Sequence, residues 1–116
     1  MMKLQINRKD FYELAKRIFK DFAEIQDGYP VIVPISNHHI YINDIMCFLD
    51  DDAHHYLSFN SYGQMDIIKE KNGERRNHIC FNLSELKSLR FHAQNFSGEM
   101  NESNGLYYNE SYNFRF

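Results

Sequence analysis

Apolar residues recur every three or four positions between Lys9 and Gln26, and charged residues fill the positions between them. This spacing is typical of an amphipathic helix that turns one face toward a core. Asn7 can cap the first turn, and Gly28 followed by Pro30 can end the last one. The pattern therefore predicts an N-terminal amphipathic helix.

Further along the chain the apolar positions alternate with polar ones, as they do in β-strands. The run 29–35, the polar turn at Ser36 and Asn37, and the run 39–43 predict a first hairpin. Pro34 lacks an amide donor, so we expect its strand to lie at an edge or a bulge. Residues 45–49 fit either a strand or a turn of helix, and residues 56–62 fit a strand.

The clearest local signal is the Asn72-Gly73 pair between residues 65–70 and 75–83. Asn-Gly readily adopts the positive φ angles of a type I′ turn, so this segment predicts a second hairpin. Ser84 can cap a short second helix over residues 84–95. The alternation in residues 106–116 predicts a terminal strand with Tyr112 and Phe114 on its inner face.

These elements predict the fold class α+β, with a mostly antiparallel sheet of about five to six strands. The N-terminal amphipathic helix and the short second helix would pack on one face of the sheet. A length of 116 residues, with 10 Phe and 8 Tyr, suits a single domain spanning residues 1–116. No run is long and apolar enough for a transmembrane helix, and the first residues lack the features of a secretory signal, so we expect a cytoplasmic protein.

The charges are segregated along the chain. Residues 1–20 carry a formal charge of +4, residues 21–68 carry -8 without a single Lys or Arg, and the whole chain carries -3. Such a stretch, with tyrosines among its carboxylates, can present an acidic and aromatic surface to a basic protein. The plainer interpretation is that these carboxylates lie in solvated turns. The candidate partner-binding residues are Asp44, Asp50, Asp51, Asp52, Asp66, Tyr41 and Tyr56.

The favoured hypothesis is a small cytosolic inhibitor or antidote without enzymatic activity or a cofactor. In size, acidity and lack of a catalytic signature the chain is similar to bacterial immunity proteins that neutralise nuclease toxins, and phage-type inhibitors of host defence share the same general character. The implied partner is a basic protein, such as a cognate nuclease toxin, that the acidic and aromatic surface would occlude. A homodimer is also open, because Tyr107 and Arg115 on the outer face of the terminal strand are residue types enriched at interfaces.

Two other classes of function remain open. A small nucleic-acid-binding module would use the cations of the second hairpin together with strand aromatics, although the interleaved glutamates weaken this alternative. Those cations are Lys69, Lys71, Arg75 and Arg76. An enzyme or a metal site would draw on His38, His39, His54 and His55, but adjacent residues in a strand point to opposite faces and no metal-ligand spacing is present. Cys47 and Cys80 lie in apolar runs and are expected to be buried, inert thiols.

Overall fold

A computed structural model describes residues 2–20, 30–95 and 108–116. Its helical part begins with a 3-10 turn, Arg8–Asp10, and continues as helix α1, Phe11–Ile18. The side chain of Asn7 caps this start by accepting a hydrogen bond from the Lys9 amide at 2.9 Å. The predicted helix is thereby confirmed at its beginning, but α1 ends at Ile18 and so stops short of the predicted end near residue 26. The Gly28 stop signal lies outside the described residues.

Nine strands of the described residues form one curled sheet. Their order along the main path is β1-β9-β8-β2-β5-β6-β7, and β3 and β4 lie off this path because β3 pairs with both β4 and β8. β1 and β9 are parallel, and the other described pairs are antiparallel. The strands are β1 Met2–Gln5, β2 Val31–Ile35, β3 His39–Ile42, β4 Ile45–Phe48, β5 His54–Phe59, β6 Gln64–Lys71, β7 Glu74–Asn82, β8 Ser88–Asn95 and β9 Tyr108–Arg115.

The predicted first hairpin is wrong, because β2 and β3 follow one another along the same edge of β8. Ile35 pairs with Ala93 and Tyr41 with Arg90, both in the antiparallel sense. Two strands that are both antiparallel to β8 run in the same direction, so the segment between them bends the chain without reversing it. On its other side β2 pairs with β5, and β3 pairs with β4.

The predicted second helix is also wrong. Only a 3-10 turn, Leu83–Glu85, follows β7, and the rest of that segment is strand β8 in the middle of the sheet. Leu89, Phe91 and Ala93 alternate into the core, while Arg90 and His92 lie on the other face. This period of two prevails because β8 pairs with a strand on each side, which satisfies its backbone hydrogen-bonding groups within the sheet.

The second hairpin is confirmed as β6 and β7. Lys71 pairs with Glu74 across the turn, and Asn72 and Gly73 have φ angles of 56° and 76°, as a type I′ turn requires. The terminal strand is confirmed as β9, with Tyr112 and Phe114 buried. The α+β class therefore holds, but the sheet has more strands than predicted and the second helix is absent from the described residues.

The core lies between α1 and the inner face of the sheet. Phe11 of α1 is fully buried, and its ring makes edge-to-face contacts with Phe59 and Phe114 at 5.0 Å and with Phe116 at 5.1 Å. The Arg8 guanidinium links the 3-10 turn to the segment before β8 by donating hydrogen bonds to the carbonyl oxygens of residues 83 and 86. These contacts join the helical part of the chain to β5, β9 and the segment before β8.

Candidate protein-binding surface

The hairpin of β3 and β4 turns through two residues, Asn43 and Asp44, whose φ angles are 53° and 64°. The side-chain oxygen of Asn43 accepts hydrogen bonds from the amides of Lys87 at 2.6 Å and Ser88 at 3.3 Å. Its amide group donates to the carbonyl oxygen of Glu85 at 3.2 Å. Asn and Asp tolerate the left-handed conformation, so the turn forms locally and is then fastened to the segment before β8.

β4 exposes its apolar side chains. Ile45, Met46 and Phe48 are 68%, 42% and 81% exposed, whereas Ile40 and Ile42 of the neighbouring β3 are buried. Among the strands that the structure describes, β4 pairs with β3 alone, so its other edge is open. A short apolar strand with an open edge can pair with a strand of another chain.

The backbone of β4 also offers unused hydrogen-bonding groups at this edge. A two-residue turn closes on a hydrogen-bonded pair, here Ile42 and Ile45, and such pairs alternate with non-hydrogen-bonded ones. The Leu49 amide donates to the His38 carbonyl oxygen at 2.7 Å, which fits this alternation. The amide and carbonyl groups of Met46 and Phe48 therefore point away from β3, toward the open edge.

The three carboxylates that follow β4 are held by residues of the same chain. Asp50 forms an ion pair with Lys69, and Asp52 forms one with Lys71 at 2.6 Å. Hydrogen bonds and charge attraction from these lysines hold the pKa of each carboxyl below its ordinary value. Asp51 differs, because its exposed carboxylate contacts only the ring of His38, at 3.6 Å, among the described residues.

The other predicted residues are divided between two parts of the sheet. Asp44 lies at the turn of β3 and β4 and faces Arg115 at 3.4 Å, and Tyr41 of β3 has the Arg90 guanidinium 3.9 Å from its ring centre. Tyr56 lies on β5 and Asp66 on β6, outside this hairpin. The structure thus groups Tyr41, Asp44 and residues 50–52 on or beside the β3–β4 hairpin, and it places Tyr56 and Asp66 elsewhere.

Tyr56 is engaged by the charged hairpin of β6 and β7. The guanidinium of Arg75 lies 4.5 Å from the Tyr56 ring centre, and the Tyr56 hydroxyl donates to Glu70 Oε1 at 3.4 Å. Arg75 in turn donates to Glu70 at 2.6 Å, which lowers the pKa of that carboxyl. All four cations of the alternative nucleic-acid hypothesis are paired in this way: Lys69 with Asp50, Lys71 with Asp52, Arg75 with Glu70 and Arg76 with Glu74.

The histidine pair of β5 points to opposite faces. His54 is exposed, while His55 is 4% exposed and its Nε2 atom has no hydrogen-bond partner. Burial lowers the pKa of His55, and the neighbouring His78 ring lowers it further. In the described ranges 2–20, 30–95 and 108–116, no group of three or more His, Cys, Asp or Glu side chains has an arrangement that could hold a metal ion.

The prediction of buried thiols is wrong for Cys80, which is exposed on β7, and Cys47 is half-buried. Burial was inferred from their apolar neighbours, but β7 is an edge strand whose outer positions meet solvent. A hydrogen bond between the Cys80 thiol and Asp66, together with partial desolvation, raises the pKa of that thiol. A raised pKa favours the protonated thiol over the nucleophilic thiolate.

The apolar residues of β4 are the functional candidates that the sequence reasoning missed. The run 45–49 fits a strand or a turn of helix, and nothing in the run itself shows that the strand, Ile45–Phe48, lies at an edge. The useful signal was the Asn43-Asp44 pair, which suits a two-residue turn as Asn72-Gly73 does. Recognising it would have made residues 45–48 the outer strand of a hairpin.

No family model, no curated protein and no solved structure matches this chain. In the part of the chain that the structure describes, no helix has the length and apolar character needed to cross a membrane. A function can therefore be inferred only from the chain's own geometry.

Proposed function

We propose that this protein is a small protein-binding inhibitor or antidote and that the β3–β4 hairpin is its binding element. The supporting observation is the open edge of β4, where Phe48 is 81% exposed beside the unpaired backbone groups of residues 46 and 48. A partner strand can add to this edge through backbone hydrogen bonds, while Phe48 and Met46 fill pockets on the partner.

The partner in this proposal is a basic protein of the nuclease-toxin type. Asp44 stands at one end of β4 and Asp51 just beyond the other, so carboxylates flank an apolar strand that itself carries no charge. A nuclease that binds phosphate backbone has a basic cleft, which such carboxylates attract. The carboxylates of Asp50 and Asp52 would contribute less, because Lys69 and Lys71 already neutralise them. The Asp44 carboxylate is also partly neutralised, by Arg115 at 3.4 Å, which leaves Asp51 as the main attracting group.

The role proposed for this chain is occlusion of the partner, so binding alone would block the partner's substrate. Apolar anchors would supply most of the affinity, and the flanking carboxylates would raise the association rate. The nucleic-acid-binding alternative has less support, since each cation of the charged hairpin already contacts a carboxylate of the same chain.

The test is affinity capture of the tagged protein from its native cells, with Phe48→Ser beside the wild type. Tyr62→Ser is the matched control, because Tyr62 is an 83% exposed aromatic residue outside the hairpin. We expect one basic protein at a stoichiometric level with the wild type and with Tyr62→Ser, and its loss with Phe48→Ser. The purified complex should also suppress the partner's activity on nucleic acid.

The proposal fails if Phe48→Ser captures the same protein as efficiently as the wild type. It also fails if nucleic acid is retained instead of a protein, which would favour the charged hairpin. The variant Asp51→Asn separates the effect of the carboxylate on the association rate from the effect of the apolar contacts on the dissociation rate. It should slow association at low salt and leave dissociation unchanged.

A further inference from the structure

A cavity of about 310 Å³ opens on the outer face of the sheet, where β3, β8 and β9 meet. Its position differs from the open edge of β4, and its residues come from three strands that are far apart in sequence. The lining residues are His39, Tyr41, Arg90, Phe91, His92 and Ser111.

The strand register explains why these side chains converge. Tyr41 pairs with Arg90, and His39 and His92 each lie two residues away on the same face of their own strand. The ring of His39 makes an edge-to-face contact with that of Tyr41 at 5.8 Å. His92 pairs on its other side with Ser111 of β9. The four polar side chains around Tyr41 thus form a compact array, and each is half-buried.

Arg90 has an unusual electrostatic environment in this array. Its guanidinium lies 3.9 Å from the ring centre of Tyr41, and no carboxylate of the described residues lies within ion-pair distance of it. By contrast, Arg75, the other arginine that stacks on a strand tyrosine, donates to Glu70 at 2.6 Å. A half-buried guanidinium is normally paired, and when stacked on a ring it still presents its in-plane N–H groups.

The remaining lining residues extend the same chemistry. Two imidazoles and a hydroxyl can each donate a hydrogen bond, and none of the lining residues is a carboxylate. An arginine fork with several further donors is the arrangement that recognises a phosphate group. The volume exceeds that of a bare phosphate ion and lies at the lower end of the range for small-molecule sites.

We propose that this cavity is a binding site for a phosphate monoester. Arg90 binds two phosphate oxygens through its in-plane N–H groups, while Tyr41 supports the guanidinium from behind. His92 and Ser111 donate to the remaining oxygens, and His39 closes the side of the cavity next to β4. The proposal does not rest on the proposed protein-binding function: the cavity shares β3 with that hairpin, but it uses the sheet face and not the open edge of β4.

The test is a titration of the full chain with inorganic phosphate, adenosine monophosphate and phosphoserine, followed by calorimetry and by the NMR signals of the histidine rings. We expect saturable binding of at least one of these probes, with shifts of the His39 and His92 signals. Arg90→Gln should weaken it by at least about tenfold, the loss expected for a bidentate charged contact. Arg75→Gln, which removes a comparable stacked arginine, should bind within about twofold of the wild type.

Arg90→Lys guards against a folding artefact, since it keeps the charge and most of the stem. We expect this variant to stay folded and to bind several-fold more weakly, because lysine lacks the fork. Tighter binding of adenosine monophosphate than of phosphate would assign a nucleotide, tighter binding of phosphoserine a phosphorylated amino acid, and equal binding the phosphate group alone.

The proposal is overturned if none of the three probes binds saturably at millimolar concentration, or if Arg90→Gln binds as the wild type does. The variant Phe48→Ser, which should lose the protein partner, is expected to keep phosphate binding. Loss of one activity without the other therefore shows which of the two proposals has failed.

Discussion

Two hairpins of this sheet, β3–β4 and β6–β7, have similar turns but very different surfaces. Each turns through two residues with positive φ, Asn43-Asp44 in one case and Asn72-Gly73 in the other. The second hairpin is long and charged, and its outer strand β7 is exposed along most of its length. The first is short and apolar, and its outer strand β4 carries no charge.

The difference lies in how each edge is protected. β7 carries Glu74, Arg75 and Arg76, whose charges discourage a foreign strand from pairing with it. β4 has charged residues only beyond its two ends, and its apolar side chains face solvent. The open, apolar edge of β4 therefore supports the proposed binding role better than the charged edge of β7 does.

The first prediction compares how firmly the two hairpins are held. Ile40 of β3 is fully buried and Ile79 of β7 is half-buried. Ile40→Ala should lower the free energy of unfolding by about 2–5 kcal/mol, and Ile79→Ala by roughly half as much or less. Urea denaturation of both variants measures this. Equal losses would show that the β6–β7 hairpin is as tightly packed as the β3–β4 hairpin.

The second prediction compares the turns. Asn43→Gly keeps the positive φ angle accessible but removes the hydrogen bonds to the segment before β8, so it should cost about 1–3 kcal/mol. Among the described residues the side chain of Asn72 makes no such hydrogen bonds, so Asn72→Gly should change stability by less than about 0.5 kcal/mol. Thermal or urea unfolding measures both. A similar effect in the two variants would mean that the β3–β4 turn is not fastened to β8.

The third prediction concerns how stability depends on pH, through His55 on β5, the strand that pairs with β6 of the charged hairpin. Because burial lowers the pKa of His55 below its ordinary value of 6.5, the unfolded chain takes up this proton first as the pH falls. Stability should therefore fall as the pH drops below about 6.5 and level off once the folded protein is protonated too. Urea denaturation from pH 7.5 to 5 tests this. His55→Leu should flatten the profile, whereas the exposed His54→Gln should retain it.

The smallest effect on stability is expected from the ion pairs between the acidic loop, residues 50–52, and β6. Asp52→Asn and Lys71→Gln should each shift the denaturation midpoint only slightly, because exposed pairs are screened by water and salt. The double variant should be more stable than the sum of the two single effects predicts, and this coupling energy should disappear in concentrated salt. A coupling that survives high salt would show that this pair is a structural element of the charged hairpin.

Several features could be predicted from short windows of sequence. Each of these features depends on residues close together in the chain. They are the Asn7 cap with the start of the helix, the Asn72-Gly73 turn and the alternation of the last strand. The segment before and within β8 could not be predicted in this way. Its Leu86, Leu89 and Ala93 fit a helical face, and its Leu89, Phe91 and Ala93 fit a strand face, so only the pairing partners decide between them.

The candidate site shows the same division. The sequence predicted one partner-binding set of seven residues without grouping them in space. The structure places Tyr41, Asp44 and residues 50–52 on or beside one hairpin, and Tyr56 and Asp66 outside it. The sequence could not show that Lys69 and Lys71 neutralise part of the acidic loop, because the pairing of β5 with β6 brings together residues 19 positions apart. The exposure of Phe48 likewise depends on a neighbour strand that is absent from one side of β4 among the described residues.

By itself the sequence determined the α+β class, the helix start, the charged hairpin and the terminal strand, since each follows from local backbone preference and from the period of apolar residues. The tertiary structure alone decided which strands are neighbours, which charges cancel and which edge stays open. These properties depend on hydrogen bonds and contacts between distant segments. A side chain's solvent exposure is set by what packs beside it in the fold, and not by its neighbours in the chain.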